Sequence, residues 1–269
     1  MALEAFRRED MGRFLTLAAA EGWITGPHEI DFLLTVFPKG CFCMQDETGA
    51  AVGFVTSLKH DRSGWIGNLI VEPDYRGRGI GETLFTQALT ALQDAGAESV
   101  WLTASEMGRP LYEKRGFKCI DRVIRWAGQA GGGGDYIGRD DVRFDTALDR
   151  LCWGDQRELL LQWITGRWTV VAVESAWAVI HPVAECVQIG PCAARDLHAA
   201  ELVISGAMAA LDAGKSVLCD APSSNGLGVA LFQKLGFRPQ GETYLMNAGA
   251  KPDYRSSYLY GLATLGSCG

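Results

Sequence analysis

The stretch Tyr75-Arg-Gly-Arg-Gly-Ile-Gly81 holds residue types at a spacing that could do chemistry. It lies between a β-like run ended by Pro73 and a segment with helical spacing of apolar residues. The first turn of a helix carries backbone N–H groups without partners and lies at the positive end of the helix dipole. Glycines at 77, 79 and 81 remove Cβ atoms, so an anion can approach the main chain closely. Arg76 and Arg78 add positive charge to an otherwise acidic chain. A pyrophosphate-bearing ligand is the natural guest, and a Gly-rich turn with solvated arginines is the plain alternative. Two other phosphate loops do not fit. A P-loop needs Lys-Ser or Lys-Thr after its last glycine, and a Rossmann turn needs G-x-G-x-x-G after the first strand. Here G-x-G-x-G follows the fourth strand.

Metal chemistry is not expected. His28, His60, His181 and His198 are scattered without ligand spacing, and none of the eight cysteines forms C-x-x-C. Cys41 and Cys43 share a strand face, and the cysteines read as small buried thiols in a reducing compartment.

The elements that must position the turn can be read around it. A short strand near 3–6 is followed by a helix starting near Asp10 and a second helix from about His28 to Val36, stopped by Pro38. Cys41–Gln45 and Ala51–Leu58 flank Asp46-Glu-Thr-Gly49 and read as a hairpin. A strand from about Ile66 to Val71 enters the turn, and a helix to about Asp94 leaves it. Strand 99–102, a short helix near 109–114 and strand 117–126 complete the order β-α-α-β-β-β-α-β-α-β. This is an α/β arrangement, a mixed sheet with helices on both faces. Gly131–Gly134 read as part of a linker.

Leu69–Phe117 resembles the GNAT superfamily of acetyl-CoA-dependent N-acetyltransferases. The carrying residues are Val71, Pro73, Arg76, Gly77, Gly79 and Gly81, then Leu-Tyr-Glu-Lys-Arg-Gly-Phe at 111–117. The resemblance implies that the pyrophosphate of coenzyme A sits on Arg76, Gly77, Arg78, Gly79, Ile80 and Gly81. Its pantetheine arm would lie along Leu69, Ile70 and Val71. An amine would attack the thioester directly while Tyr112 protonates the departing thiolate. A phenol, with a reference pKa of about 10, keeps its proton at neutral pH and suits that role. Glu21, Trp23 and Asp31 fall in the early helical region that commonly borders the acceptor pocket in this family. Glu72, Asp61 and His60 are candidates for the base that takes the amine's proton, Glu72 also for acceptor contact; a water chain is an alternative.

The second half repeats the first. Pro73 corresponds to Pro191 and Asp94-Ala-Gly96 to Asp212-Ala-Gly214, while 111–117 corresponds to Leu-Phe-Gln-Lys-Leu-Gly-Phe at 231–237. The chemistry is erased in the copy: Arg76 becomes Ala194, Arg78 becomes Asp196, Gly79 becomes Leu197, Gly81 becomes Ala199 and Tyr112 becomes Phe232. The expected organisation is two tandem GNAT-like domains, each a twisted mixed β-sheet flanked by helices: 1–128 catalytic, 129–141 a linker, 142–269 non-catalytic. The second domain could complete the acceptor pocket, form a dimer surface or act as a stabilising lid. Asp220 and Asn225 in it are either functional or turn caps.

The 269 residues carry a net charge of −7 with 48% hydrophobic and 21% charged residues, which excludes a basic nucleic-acid module and a disordered chain. No apolar stretch is long enough for a membrane span, and Met-Ala-Leu-Glu-Ala-Phe-Arg-Arg-Glu-Asp does not read as a secretory signal. The expectation is a cytoplasmic enzyme, possible as a homodimer, that moves acetyl from acetyl-CoA to a small-molecule or peptide amine, with no metal, nucleic acid or membrane. An acyl-CoA-binding sensor without turnover is the alternative.

Overall fold

The computed structural model describes residues 1–132 and 144–269; residues 133–141 of the expected linker lie outside the described residues. β1 (Ala2–Ala5) leads into α1 (Met11–Ala20) and α2 (Pro27–Val36), then β2 (Phe42–Gln45), β3 (Ala51–Lys59) and β4 (Ser63–Val71). α3 (Ile80–Asp94), β5 (Ser99–Ala104), α4 (Arg109–Glu113) and β6 (Lys118–Gln129) complete the first half. The expected element order is the observed one. The second half runs α5 (Thr146–Trp153), α6 (Glu158–Thr165), β7 (Thr169–Val173), β8 (Ala176–Val183) and β9 (Cys186–Ala194). It continues with α7 (Leu197–Ala209), β10 (Ser216–Pro222), α8 (Gly226–Lys234), β11 (Arg238–Gly249) and the short β12 (Leu259–Gly261).

The two mixed sheets are fused. The strand order is β1-β2-β3-β4-β5-β11-β6-β10-β9-β8-β7, with β12 against β9. The closing strands of the halves are exchanged. β11, from the second half, pairs with β5 of the first. β6, from the first half, pairs with β10 of the second. The two exchanged strands pair antiparallel with each other, and Val123 lies directly opposite Thr243, its own counterpart in the repeat. The neighbouring pairs Arg122–Tyr244 and Ile124–Glu242 map onto each other under the repeat, and the ladder shifts once on each side of the centre. A local two-fold axis therefore passes between Val123 and Thr243. The chain stays in the sheet beyond β6: Ala130 accepts from Gly214 N at 2.8 Å and donates to Lys215 O at 2.9 Å.

Successive strand residues face opposite sides. Phe54, Trp65, Trp101, Trp177 and Ala193 point into one core beneath α1, α2, α5 and α6, which both halves share. On the other face each half has its own core, beneath α3 and α4 in the first and α7 and α8 in the second. Ile80, Leu84, Phe85, Ala88 and Leu92 make the buried stripe of α3. Each large side chain so buried contributes about 1.5–3 kcal/mol, which holds the N-terminus of α3 in place beside β4. Residues 1–132 alone would leave the β5 edge without its partner. Because β6 is the repeat counterpart of β11, a fragment of residues 1–132 is expected to dimerise by donating β6 to a second copy. Light scattering after size-exclusion chromatography checks this, and a stable folded monomer would contradict the exchange as a stabilising requirement.

Candidate active site

Gly77 and Gly79 have φ of +75° and +79°, a backbone that side-chain-bearing residues rarely adopt. Those two left-handed residues swing the chain from β4 onto α3, whose N-cap is Gly79 with no side chain closing it. The first N–H groups of α3 thus face an open space. Gly81 has a different role: a Cβ there would meet only Val71 Cγ2 at 3.7 Å.

The parallel pairing of β4 with β5 covers only Ser63–Trp65 against Ser99–Trp101. Beyond it the strands part, leaving one edge of Ile66–Val71 unpaired while β3 holds the other. An extra residue in β4 marks the divergence, where the register passes from Thr56–Gly67 to Phe54–Ile70. Asn68 sits there with φ +56°, its Nδ2 donating to Thr56 Oγ1 at 2.9 Å and its Oδ1 accepting from Ser267 Oγ at 3.1 Å. The segment 264–267 crosses the inner end of this split. It lies so close that a Cβ on Gly67 would come within 2.2 Å of Gly266 O.

A cleft of about 1050 Å³ runs from the Gly-rich turn along the free edge of β4 and on between the halves. Leu69, Ile70, Val71, Arg76, Gly77, Gly79, Ile80, Gly81 and Tyr112 all line it. Arg78 does not. Its guanidinium packs over Tyr75 at 5.1 Å and donates to Asp74 O at 2.9 Å. Arg76 donates from Nε to Val71 O at 2.9 Å and pairs through Nη2 with Glu21 at 2.5 Å. Tyr112 is 8% exposed and packs on Phe85, with centroids 5.0 Å apart. Burial pushes its phenol up to about 12, so the proton stays on through neutral pH.

Glu21 and Trp23 line the cleft, Trp23 at its mouth with 40% of its surface exposed. Glu72 is corrected as an acceptor contact: its carboxylate turns to Arg13 at 2.7 Å, and it does not line the cleft. Asp31 pairs with Arg8 at 2.5 Å, also outside the cleft. His60 and Asp61 lie in the β3–β4 turn, away from the cleft. Burial pushes His60 down to about 3, which removes it as a base near neutral pH.

The sequence reading missed Glu29, on the first turn of α2, with its carboxyl at the cleft and 9% exposure. Burial raises its pKa, while the Ser267, Thr25 and Thr264 hydroxyls and the Gly26 backbone favour the carboxylate. Glu29 precedes Phe32 and Leu33 by three and four positions on the buried face of α2, a signal that the sequence carries. The second half supplies Trp163, Trp168, His181 and Gln188 to the same cleft. Asp220 is not a turn cap. It is fully buried in β10 and bidentate to Arg125 of β6, with both contacts at 2.8 Å. Asn225 is a cap: it accepts from Gly228 N at 3.0 Å at the start of α8.

The equivalent site of the second half is closed. Asp196 caps α7 with its own carboxylate, accepting from Ala199 N at 2.8 Å. β9 and β10 pair only at Val187–Val217 and Gln188–Leu218 before they part. β12 enters that split, pairing with Ala193 and Cys192 of β9, while Leu262 N donates to Asp220 O at 2.8 Å.

An uncapped helix N-terminus, two left-handed glycines and a split between parallel strands define an acyltransferase fold of the GNAT type. The chain belongs to the GNAT family: the Acetyltransferase (GNAT) family model matches residues 4–117, and an Acetyltransferase (GNAT) domain model matches 146–261. It is similar to glucosamine 6-phosphate N-acetyltransferase of Trypanosoma brucei brucei, 35% identical over 91 residues, covering 31% of this chain and 61% of that protein. It is also similar to the N-alpha-acetyltransferase MAK3 of Arabidopsis thaliana, 32% identical over 102 residues, covering 35% and 53%. In both, the matched stretch is less than two thirds of the relative's own length. Among solved structures, a Pyrococcus horikoshii chain assigned as an acetyltransferase superimposes over 100% of this chain and 95% of its own, with TM-score 0.82 and 18% identity. The GCN5-related N-acetyltransferase of Sphaerobacter thermophilus does so over 95% and 96%, with TM-score 0.63 and 16% identity. At these identities the two structures show the shared fold alone. No helix among the described residues is long and apolar enough to cross a membrane.

His181 links the cleft wall to stability. It is buried, its Nε2 stands 3.1 Å from Ala263 O, and burial pushes it down to about 4. The unfolded chain, with a histidine near 6.5, takes up a proton first as pH falls, so stability is lost from about pH 6.5 down through pH 4. His181→Gln is expected to reduce the loss between pH 7 and pH 5 by about 2 kcal/mol, read by urea denaturation. An unchanged pH dependence would contradict this.

Proposed function

We propose that the chain is an N-acetyltransferase that moves an acetyl group from acetyl-CoA to an amine by direct attack, with residues 1–128 carrying the transfer site and 142–269 walling the acceptor end. The observation that carries this reading is a single cleft joining the open N-terminus of α3, the unpaired edge of β4 and the protonated phenol of Tyr112.

The residues present fit the cofactor. The N–H groups at the start of α3, with Gly77, Gly79, Ile80 and Gly81, receive the pyrophosphate. Arg76 exchanges Glu21 for a phosphate oxygen; Arg78, stacked on Tyr75, adds positive potential from outside the cleft. The free edge of Leu69, Ile70 and Val71 offers backbone groups to the pantetheine amides, as an added strand would. Backbone N–H groups on that edge also stabilise the charge that grows on the thioester oxygen, a large source of rate in acyl transfer. The neutral amine nitrogen forms its bond to the carbonyl carbon and gives up a proton to a water chain, the C–S bond breaks, and the Tyr112 hydroxyl donates to the sulfur and is reprotonated from water. The partner implied is a small-molecule or peptide amine; the relatives' names span glucosamine 6-phosphate and N-alpha acceptors, and fold does not choose among them.

Two variants test the reading. Gly79→Leu places a side chain at φ +79° and copies the second half. It is expected to abolish acetyl-CoA binding in calorimetry, where the unmodified chain binds one molecule; unchanged affinity would remove the turn from the cofactor site. Tyr112→Phe is expected to lower kcat by about 10²–10⁴-fold with acetyl-CoA affinity retained. An unchanged kcat with chemistry rate-limiting would take Tyr112 out of the reaction.

A further inference from the structure

The charges that face the cleft are nearly all matched. Glu21 pairs with Arg76, Glu82 with Arg115 and Arg125 with the buried Asp220. His181 is neutral at ordinary pH, since burial holds it near 4. At the rim, Arg167 is exposed and donates toward His28 Nδ1 at 3.0 Å. Glu29 is the exception. Among the described residues it makes no ion pair; the Thr25 hydroxyl donates to it at 2.9 Å, and the Ser267 and Thr264 hydroxyls and the Gly26 backbone also favour its charged form. Arg125, already bidentate to Asp220, and the Cys268 thiol also face it.

The cleft that Glu29 lines also carries the indole rings of Trp23, Trp163 and Trp168. Phe32, three residues along the same face of α2, stacks on Trp163 with centroids 4.3 Å apart and planes at 16°. Trp163 meets Trp168 edge-to-face at 4.8 Å, and Trp168 lies 5.3 Å from the His181 ring. Trp163 and Trp168 come from the second half, and Trp23 closes the mouth from the first. A carboxylate without an ion pair, in a cleft that indole rings also line, stabilises a cation that brings its own apolar body, through charge and through the ring faces. The same site repels an anion.

We propose that the acceptor end of the cleft is a subsite for an organic ammonium with one positive charge on an apolar body, held by Glu29 against Trp23, Trp163 and Trp168. This rests on the acetyltransferase reading and narrows its acceptor. Among the described residues a polycation finds no second acid without an ion pair there, and an acceptor bearing a phosphate meets the Glu29 charge.

The test compares three probes of one shape on the full chain saturated with coenzyme A: 2-phenylethylammonium, 2-phenylethanol and phenylacetate, by isothermal titration calorimetry. The ammonium is expected to bind about ten- to hundredfold tighter than the alcohol, with phenylacetate weakest. In Glu29→Gln, which keeps the side chain's shape, the ammonium is expected to fall to the level of the alcohol. Equal binding of ammonium and alcohol, tighter phenylacetate, no ammonium binding, or a preference that survives Glu29→Gln would each overturn the subsite. The coenzyme A titration that precedes the probes separates the two readings, because its failure counts against the cofactor site and not against Glu29.

Discussion

The pairing of β6 with β11 is the constraint on which the rest of this molecule depends. Each of these strands belongs by sequence to one half and by hydrogen bonding to the other. β5 has its second ladder only when β11 is present, and the helices α1, α2, α5 and α6 share one core only because the sheet beneath them is continuous. A central strand satisfies main-chain groups on both sides, and leaving them unmet in a buried sheet is expensive. The halves are therefore not two beads on a string. The sheet that carries the Gly-rich turn is completed by a strand more than a hundred residues later in the chain.

From that constraint follows the composition of the cleft. Continuity of the sheet brings the 264–267 segment against β4 and β8 into the same cleft, so the end at the Gly-rich turn is built by the first half and the far end by both. The polar anchor at the seam is doubly bonded: Arg125 of β6 holds the buried Asp220 of β10 through two contacts at 2.8 Å. Such pairs add specificity more than stability, because desolvating both partners offsets much of their attraction. Removing one partner leaves a buried charge uncompensated, so these contacts fix how the halves meet.

Much of this was legible in the residues, for physical reasons that can be named. A turn of alternating glycines before a helix allows few conformations, so the Arg76–Gly81 segment identified itself, and the side-chain losses in the copy spoke directly about charge and space. The strand exchange was not legible. β6 and β11 are repeat counterparts, so either could close either half and nothing in the repeat itself says which one does. Only the hydrogen-bond register distinguishes them. Glu72 misled because closeness in sequence to Val71 does not say which way a side chain turns once Arg13 is within reach. Glu29 escaped because an acid in the first turn of a helix is ordinarily a solvated partner of the dipole. Its position on the buried face of α2 was the overlooked sign.

The segment after β11 carries a consequence of its own. Residues 259–262 fill the split of the second half, and a few residues later 264–267 form the floor of the split in the first. One continuous stretch is thus a plug at one place and a wall at the other, and it cannot shift at either end without moving the other. Drift in the second half is consequently not free. Substitutions at β12 or beneath it are exposed to selection through the shape of a cleft that both halves line.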